Sequence, residues 1–217
     1  AQEALDFTRL AFDLSEPFDT PVIVRATTRL SHTRSSVTVG PRTEVEPKGW
    51  VDDYQKTVMI PGHARIRHPI VVERVEKLSD YFSDSPLNRW DKGDSSYGII
   101  THGTCYPYVK EVVPDASILK IAASYPLPEK LIKEFAATVD RVIVVEELEP
   151  VLEVEIRALG ILAEGKSLFP RVGELAPEVV RAGLAKAGLI EAAAELHDWE
   201  VEPLARPPVL CAGCPHT

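Results

Sequence analysis

The sequence predicts an α/β protein with a mostly parallel sheet that helices cover on both faces. Three short runs rich in β-branched residues, at 97–101 (YGIIT), 116–121 (ASILKI) and 141–147 (RVIVVEE), have the length and composition of buried strands. Stretches with helical periodicity separate these runs. Strands joined through helices run parallel and place the helices on both faces of the sheet.

Composition and charge narrow the class of protein further. The 217 residues are 45% hydrophobic and 26% charged, as in ordinary globular proteins. The formal net charge of -9 argues against nucleic acid or an anionic membrane as the main partner, because both require basic surfaces. Three cysteines, an odd and low number, favour a reducing cytoplasm over a disulfide framework. No apolar run approaches the ~20 residues that cross a bilayer.

The first 29 residues are predicted to be the last helix and the last strand of one α/β domain. Apolar residues recur at helical spacing as far as residue 15, and Pro17 ends the helix. The β-branched run 21–27 (PVIVRAT) predicts a buried strand. Nothing caps the start of the helix, so we expect the natural chain to begin earlier.

A linker and a helix follow. Residues 30–66 lack periodicity and mix Pro, Gly, Ser, Thr and charged residues, which predicts a linker running over a surface. Apolar residues then recur at helical spacing between 71 and 82, with Pro69 in the first turn of the predicted helix. Residues 83–96 (SDSPLNRWDKGDSS) are predicted to form a loop.

The complete α/β domain is predicted at 67–196. Its later helices are expected at 104–113, 128–139, 151–160 and 176–188, alternating with the three strands. The tail from residue 197 is rich in proline and predicts a second linker, followed by the start of a third domain up to residue 217. This order of segments is expected for the middle piece of a longer protein.

One candidate binding site lies where the first strand of the complete domain ends. Thr101, His102 and Gly103 follow the strand 97–101 and precede a helix. In open α/β sheets ligands bind at this end of the strands, with anions at the following helix N-terminus. The alternative is a tight strand-to-helix turn that requires a small residue.

Two further charged groups follow predicted strands. Glu146 and Glu147 could share acid–base work if one pKa were raised, or could simply favour the N-terminus of the next helix. A basic group, made of Arg25, Arg29, His32 and Arg34, follows the run 21–27. Guanidinium groups bind carboxylates in a bidentate way, so this group predicts a carboxylate clamp or, alternatively, a solvated surface cluster.

The two cysteines near the end of the sequence suggest metal chemistry. Cys211 and Cys214, with His216 close by, have the spacing at which two thiolates share one metal ion. Zinc, a redox pair and an incomplete or structural site all fit these residues. Covalent haem attachment does not, because Pro215 separates Cys214 from the histidine.

Eight stretches, in order, resemble the α subunit of indolepyruvate:ferredoxin oxidoreductase. The resemblance covers essentially the whole chain, and the last three stretches are the most specific. The stretches are PVIVRATTRLSH, RHPIVVERV, SPLNR, YGIITHGTCYPYV, SILKI with YPLPEKLIKEF, EELEP, GKSLFPRVGEL and RPPVLCAGCPH.

The resemblance implies an enzyme that converts an aryl 2-oxo acid and coenzyme A into an aryl-acetyl-CoA and CO2, with ferredoxin as electron acceptor. Thiamine diphosphate with Mg2+ and [4Fe-4S] clusters serve the full enzyme, and a β subunit completes it. It also implies a three-layer α/β/α domain like the C-terminal domain of transketolase, with five mostly parallel strands and one antiparallel edge strand. Residues 1–29 would end the pyrimidine-binding domain, and 197–217 would begin the diphosphate-binding domain.

The same resemblance implies site residues. Thr28, Arg29, Ser31 and His32 match a stretch that contacts the substrate carboxylate, and Cys211 and Cys214 match the first thiolates of a cluster-binding pattern. The thiamine-activating glutamate and the diphosphate motif of the family have no counterpart here. This chain alone is therefore expected to bind none of the cofactors and to have a structural or interface role.

Two other functions stay open from the sequence. A stand-alone, non-catalytic binding or assembly module would cover the apolar surface of residues 1–28, whereas part of a larger enzyme would leave it exposed. A structural metal-binding protein would use Cys211 and Cys214, and metal analysis would detect about one zinc ion per chain.

Overall fold

The structure is a computed structural model that describes residues 1–42, 44–47, 49–50 and 52–192. Eight helices and five strands are assigned within this part of the chain. The helices are α1 Gln2–Ser15, α2 Thr28–His32, α3 Tyr54–Thr57, α4 Pro61–Ser83, α5 Cys105–Val112, α6 Glu129–Ala136, α7 Val151–Ala158 and α8 Pro177–Lys186. The strands are β1 Arg89–Asp91, β2 Asp94–His102, β3 Ala116–Ile121, β4 Val142–Val145 and β5 Ala163–Glu164.

The five strands form one sheet in the order β1-β3-β2-β4-β5. β2 pairs in parallel with both β3 and β4, β4 pairs in parallel with β5, and β1 runs antiparallel to β3 at the edge. The predicted five-stranded, mostly parallel sheet with one antiparallel edge strand is therefore confirmed. All residues of β3 and β4 are buried, as expected for strands with helices on both faces.

Alternate residues of each strand face opposite sides of the sheet and build two separate cores. Ile99 of β2 lies in the core on the side of α5 and α8, and its neighbour Ile100 lies in the core on the side of α6 and α7. Both side chains are fully buried. The protein thus has the three layers that the sequence predicts.

The predicted strand at 21–27 is wrong. No strand is assigned there, and Ile23 is 90% exposed, with Val22 and Val24 also exposed. β-branched residues favour a strand only where a neighbouring strand accepts their backbone hydrogen bonds and covers their side chains. Within the described residues no strand of the sheet pairs with this segment. The predicted helix before it is confirmed as α1.

The segment before the sheet is more ordered than predicted. α4 begins at Pro61, eight residues before Pro69, so Pro69 lies inside the helix rather than in its first turn. The predicted linker 30–66 contains α3 and the start of α4, with Pro61 at the favoured first position of that helix. A proline inside a helix costs one backbone hydrogen bond, and the 23-residue length of α4 accommodates that loss.

The predicted loop 83–96 is also partly wrong, because it contains β1 and the start of β2. Trp90 of β1 packs edge-to-face against Phe135 of α6, with ring centroids 5.4 Å apart. The side chain of Asn88, just before β1, makes hydrogen bonds to two other segments. It donates to Phe82 O at 2.5 Å and accepts from Ala122 N at 3.1 Å. Short edge strands carry too little periodicity to be predicted from sequence.

None of the helices in the described part of the chain combines the length and the apolar character required to traverse a lipid bilayer.

Candidate functional site at the carboxyl edge of the sheet

The ends of β2 and β4 meet at the carboxyl edge of the sheet. Thr101 of β2 lies opposite Val145 of β4, and its fully buried hydroxyl donates to Val145 O at 2.7 Å. The two groups predicted from sequence, His102 with Gly103 and Glu146 with Glu147, therefore leave the sheet side by side. The Thr101 hydroxyl joins the two strands, His102 is the last residue of β2, and Gly103 follows it.

Gly103 makes the turn from β2 into α5. Its φ of 54° lies in the left-handed region, which glycine adopts without strain. A Cβ atom built on Gly103 would have no neighbour within 4 Å, so the backbone angle and not the space explains the glycine. This matches the tight-turn interpretation of the sequence.

His102 is half-buried beside this turn. Burial lowers the pKa of His102, the positive charge of Arg25 lowers it further, and Glu147 acts in the opposite direction. The imidazole is therefore held neutral at pH 7, the form that can both donate and accept a proton. Arg25, one residue of the predicted basic group, therefore lies near this edge.

Glu146 caps helix α7 from the end of β4. Its two carboxylate oxygens accept from Leu152 N at 2.8 Å and Glu153 N at 2.9 Å. Burial raises the pKa of Glu146, and these two backbone hydrogen bonds oppose the rise. Because both oxygens bind the helix N-terminus, the geometry matches the helix-terminus interpretation and not acid–base work.

Lys166 and Glu153 belong to the same edge, and the sequence analysis missed both. The Lys166 ammonium donates to Glu146 O at 2.5 Å, and its backbone N–H donates to the Glu153 carboxylate at 2.7 Å. Glu153 is buried and also pairs with Arg157 at 2.7 Å. A lysine directly after a strand end would have been the signal, but β5 has only two residues and was not predicted.

These contacts join two of the most specific sequence motifs. EELEP supplies Glu146 and Glu147, and GKSLFPRVGEL supplies Gly165, Lys166 and Leu175. Glu147 accepts from Leu175 N at 3.0 Å, so the second motif is bonded to the first at both of its ends. The two motifs form one hydrogen-bonded unit at the carboxyl edge.

Arg29 of α2 docks onto this unit. Its guanidinium donates to Leu175 O at 2.9 Å and to the Tyr108 hydroxyl, and it forms an ion pair with Glu174. The guanidinium carbon also lies 5.5 Å from the centroid of the Tyr108 ring. Arg29 thus binds the backbone carbonyl of Leu175, and Glu147 binds its backbone N–H.

The other three residues of the predicted substrate group lie around Arg29 on α2. Thr28 begins the helix, and His32 ends it, and both are exposed. The Ser31 hydroxyl donates to Thr27 O at 3.0 Å. The structure therefore brings Arg29 to the carboxyl edge and leaves the roles of Thr28, Ser31 and His32 as predictions.

Cys105 is buried at the start of α5 next to the same edge. Burial and the negative charge of Glu147 raise the pKa of its thiol to about 12. The thiol is therefore protonated and a poor nucleophile. Cys211 and Cys214 lie outside the described residues, as does the predicted segment 197–217.

Across the described ranges, no three His, Cys, Asp or Glu side chains are grouped so that they could hold a metal ion.

Comparison with known proteins identifies relatives of the whole chain. The chain is 40% identical over 233 residues to the indolepyruvate oxidoreductase subunit IorA of Archaeoglobus fulgidus and 37% identical over 241 residues to that of Thermococcus kodakarensis. These alignments include 100% and 99% of the chain, and 37% of each relative. The chain thus spans just over a third of the length of the curated relatives it matches.

A solved structure also resembles the chain. It is 2-oxoglutarate:ferredoxin oxidoreductase from Magnetococcus marinus with 2-oxoglutarate, coenzyme A and succinyl-CoA bound. Its TM-score is 0.46 and its sequence identity 20%, over 60% of this chain and 24% of that chain. No family model matches the chain. The resemblance predicted from sequence is confirmed by the subunit alignments: this chain is related along its length to the IorA subunits of indolepyruvate oxidoreductase.

Proposed function

We propose that the chain works as part of a thiamine-diphosphate-dependent indolepyruvate:ferredoxin oxidoreductase. This enzyme would convert an aryl 2-oxo acid and coenzyme A into an aryl-acetyl-CoA and CO2, and pass the two electrons to ferredoxin in the cytoplasm. The observation that carries the proposal is the 40% identity to an IorA subunit along the full chain. Relatives with that identity over so long an alignment share their fold.

The role of the described residues in this enzyme is to shape the active-site cleft. Thiamine diphosphate would supply the carbanion chemistry, and the clusters would carry electrons. In this proposal the residues that hold both cofactors lie in other segments and in a β subunit. The Thr101 hydroxyl of the described residues is bonded to Val145 O.

Arg29 is the residue we assign to the substrate carboxylate. Tyr108 and Leu175 O fix its guanidinium, and the remaining partner is the carboxylate of Glu174, whose side chain is 76% exposed. A guanidinium that already pairs with an exposed carboxylate has the geometry for a ligand carboxylate. The 2-oxo acid would replace Glu174, with the neutral His102 near the same edge.

Exposed apolar residues in the first segment support a role within a larger assembly. Phe12 is 71% exposed, and Val22, Ile23 and Val24 form an exposed run. A run of exposed apolar residues in one segment is typical of a surface that another protein segment or subunit covers. A stand-alone module would be expected to cover them, so this observation favours part of a larger enzyme over the stand-alone module.

The substrate role is tested by steady-state kinetics on the assembled enzyme, with all IorA segments and the partner subunit present. Arg29→Ala removes the carboxylate partner and should raise KM for indolepyruvate by about tenfold or more, since a charge-assisted hydrogen bond contributes ~1.5–3 kcal/mol. Glu174→Gln removes the internal competitor and should lower KM. Arg42→Ala, an exposed arginine outside the predicted basic group, is the matched control.

Equal KM and kcat in the Arg29→Ala variant and the wild type would remove Arg29 from the substrate site. Loss of kcat alone would indicate a structural role. Metal analysis after anaerobic purification tests the remaining alternative, because about one zinc ion per isolated chain would favour a structural metal-binding protein.

A further inference from the structure

Three basic side chains converge on a single carboxylate, that of Asp19. Asp19 follows α1 with a φ of 48°. Lys56 of α3 pairs with one of its oxygens, and two arginines of α4 reach the other: Arg74 Nη2 at 3.2 Å and Arg67 Nη2 at 3.4 Å. Arg67 and Arg74 are seven residues apart and therefore lie on one face of the helix.

The charges in this cluster are not balanced. Among the contacts that the described residues make here, three cations share one carboxylate. The arginine side chains are only 21% and 16% exposed, so solvent screens their charge poorly. The hydrogen bond from Lys56 lowers the pKa of Asp19, which keeps it ionised. Each guanidinium has five N–H donors and directs only one of them to Asp19.

A groove of about 480 Å³ lies on the Phe18 side of the cluster and is lined by Lys77 of α4 rather than by Lys56, Arg67 or Arg74. Phe18, the neighbour of Asp19, and Tyr81 of α4 line it with Pro86, and the two rings meet edge-to-face at 5.6 Å. Tyr81 lies seven residues after Arg74, so it continues the same helix face about 10 Å further along. The volume falls in the range of small-molecule sites.

The groove is lined by charges of both signs. Asp80 and Asp84 line it together with Lys77. A ligand that is anionic at both ends would meet these carboxylates, whereas a ligand with one anionic end and an apolar or aromatic body fits both halves.

We propose that Lys56, Arg67 and Arg74 bind the phosphate group of a small organic phosphate whose ring lies in the groove beside Phe18 and Tyr81. Asp19 occupies the phosphate position when no ligand is bound. A nucleotide has this chemistry: a phosphate at one end and an uncharged, planar ring at the other. The site is independent of the proposed oxidoreductase function, because it uses none of the residues at the carboxyl edge.

Isothermal titration of the 217-residue chain at low ionic strength tests the site, with ADP, inorganic phosphate and adenosine as probes. ADP should bind, phosphate should bind about tenfold or more weakly, and adenosine should not bind. Arg74→Gln and Arg67→Gln should each weaken ADP binding about tenfold or more. Arg65→Gln is the matched control: it removes a charge from the same helix, two residues from Arg67 and so on another face.

Two further variants keep the test decisive. Lys56→Gln changes a half-exposed side chain, so the fold is preserved, and ADP binding should weaken at least threefold. Asp19→Asn removes the internal anion, so ADP should bind several-fold more tightly. A purely structural role for Asp19 predicts lower stability with no gain in affinity.

The proposal is overturned if neither ADP nor phosphate binds the wild type at millimolar concentration. It is also overturned if the Arg67, Arg74 and Lys56 variants bind ADP like the wild type, or if Arg65→Gln loses as much affinity as they do. Phosphate binding as tight as ADP binding would refute the role of the groove and leave a site for free phosphate.

Discussion

Substituting Gly165 by alanine tests whether the carboxyl edge is one bonded unit. A Cβ atom at Gly165 would lie 2.4 Å from Glu153 Oε2 and 2.7 Å from its Cδ. Glu153 cannot simply move away, because it is buried, accepts from Lys166 N at 2.7 Å and pairs with Arg157 at 2.7 Å. The added methyl group must therefore displace a buried carboxylate from its partners.

The cost follows from two contributions. Forcing a methyl group into a packed site costs ~1–3 kcal/mol, and losing a hydrogen bond to a charged group costs ~1.5–3 kcal/mol. Partial relaxation of the loop reduces their total, so we expect the free energy of unfolding of Gly165→Ala to fall by about 3 kcal/mol. For a domain of this size the melting temperature should drop by roughly 10 °C.

Urea denaturation followed by circular dichroism measures this loss directly. Gly62→Ala is the matched control, because Gly62 lies in α4, where a Cβ atom would have no neighbour within 4 Å. The control should be neutral or more stable by up to ~1 kcal/mol. A Gly165→Ala variant within ~0.5 kcal/mol of the wild type would refute the tight packing of Gly165 against Glu153.

Three further predictions concern titration and reactivity. Because the pKa of His102 is lowered in the folded state, its full contribution to the free energy of unfolding is present above its ordinary pKa of 6.5 and is lost as the pH falls through the folded-state pKa. His102→Asn should therefore reduce the loss of stability between pH 7 and 5. An unchanged pH profile would contradict this. Burial, with a hydrogen bond to Asp91, raises the pKa of Tyr106 to about 12, so ultraviolet titration should show a late-ionising tyrosine that Tyr106→Phe removes; survival of that phase in the variant would refute the assignment. Mass-mapped alkylation at pH 8 should leave Cys105 unmodified in the native chain and modify it in urea, and rapid native labelling would disprove its burial.

The strands in the middle of the sheet could be predicted from sequence, and those at its edges could not. β3 matches its predicted bounds, because five of its six residues are apolar or small, which is a strong local signal. β1 and β5 have three and two residues, too few for any periodicity. The run 21–27 shows the opposite error: its β-branched residues predict a strand, but strand formation depends on a partner that local sequence does not specify.

The candidate site was predictable in its location but not in its bonding. Residues that follow parallel strands must meet at one edge, so His102 and Glu146 could be placed there from sequence alone. The partners of Arg29 could not, because Glu174 and Leu175 lie about 145 residues further along the chain. The resemblance to a known family identified the motif around Lys166, yet its bond to Glu146 required the three-dimensional structure.

The central claim is that this chain performs the work of the matching part of an indolepyruvate oxidoreductase subunit. The most direct measurement is kcat/KM for indolepyruvate in a chimera, in which this chain replaces the aligned segment of the Archaeoglobus fulgidus IorA subunit, assembled with its partner. We predict indolepyruvate-dependent and coenzyme-A-dependent reduction of ferredoxin within about tenfold of the parent enzyme. A folded, assembled chimera without that activity would contradict the account.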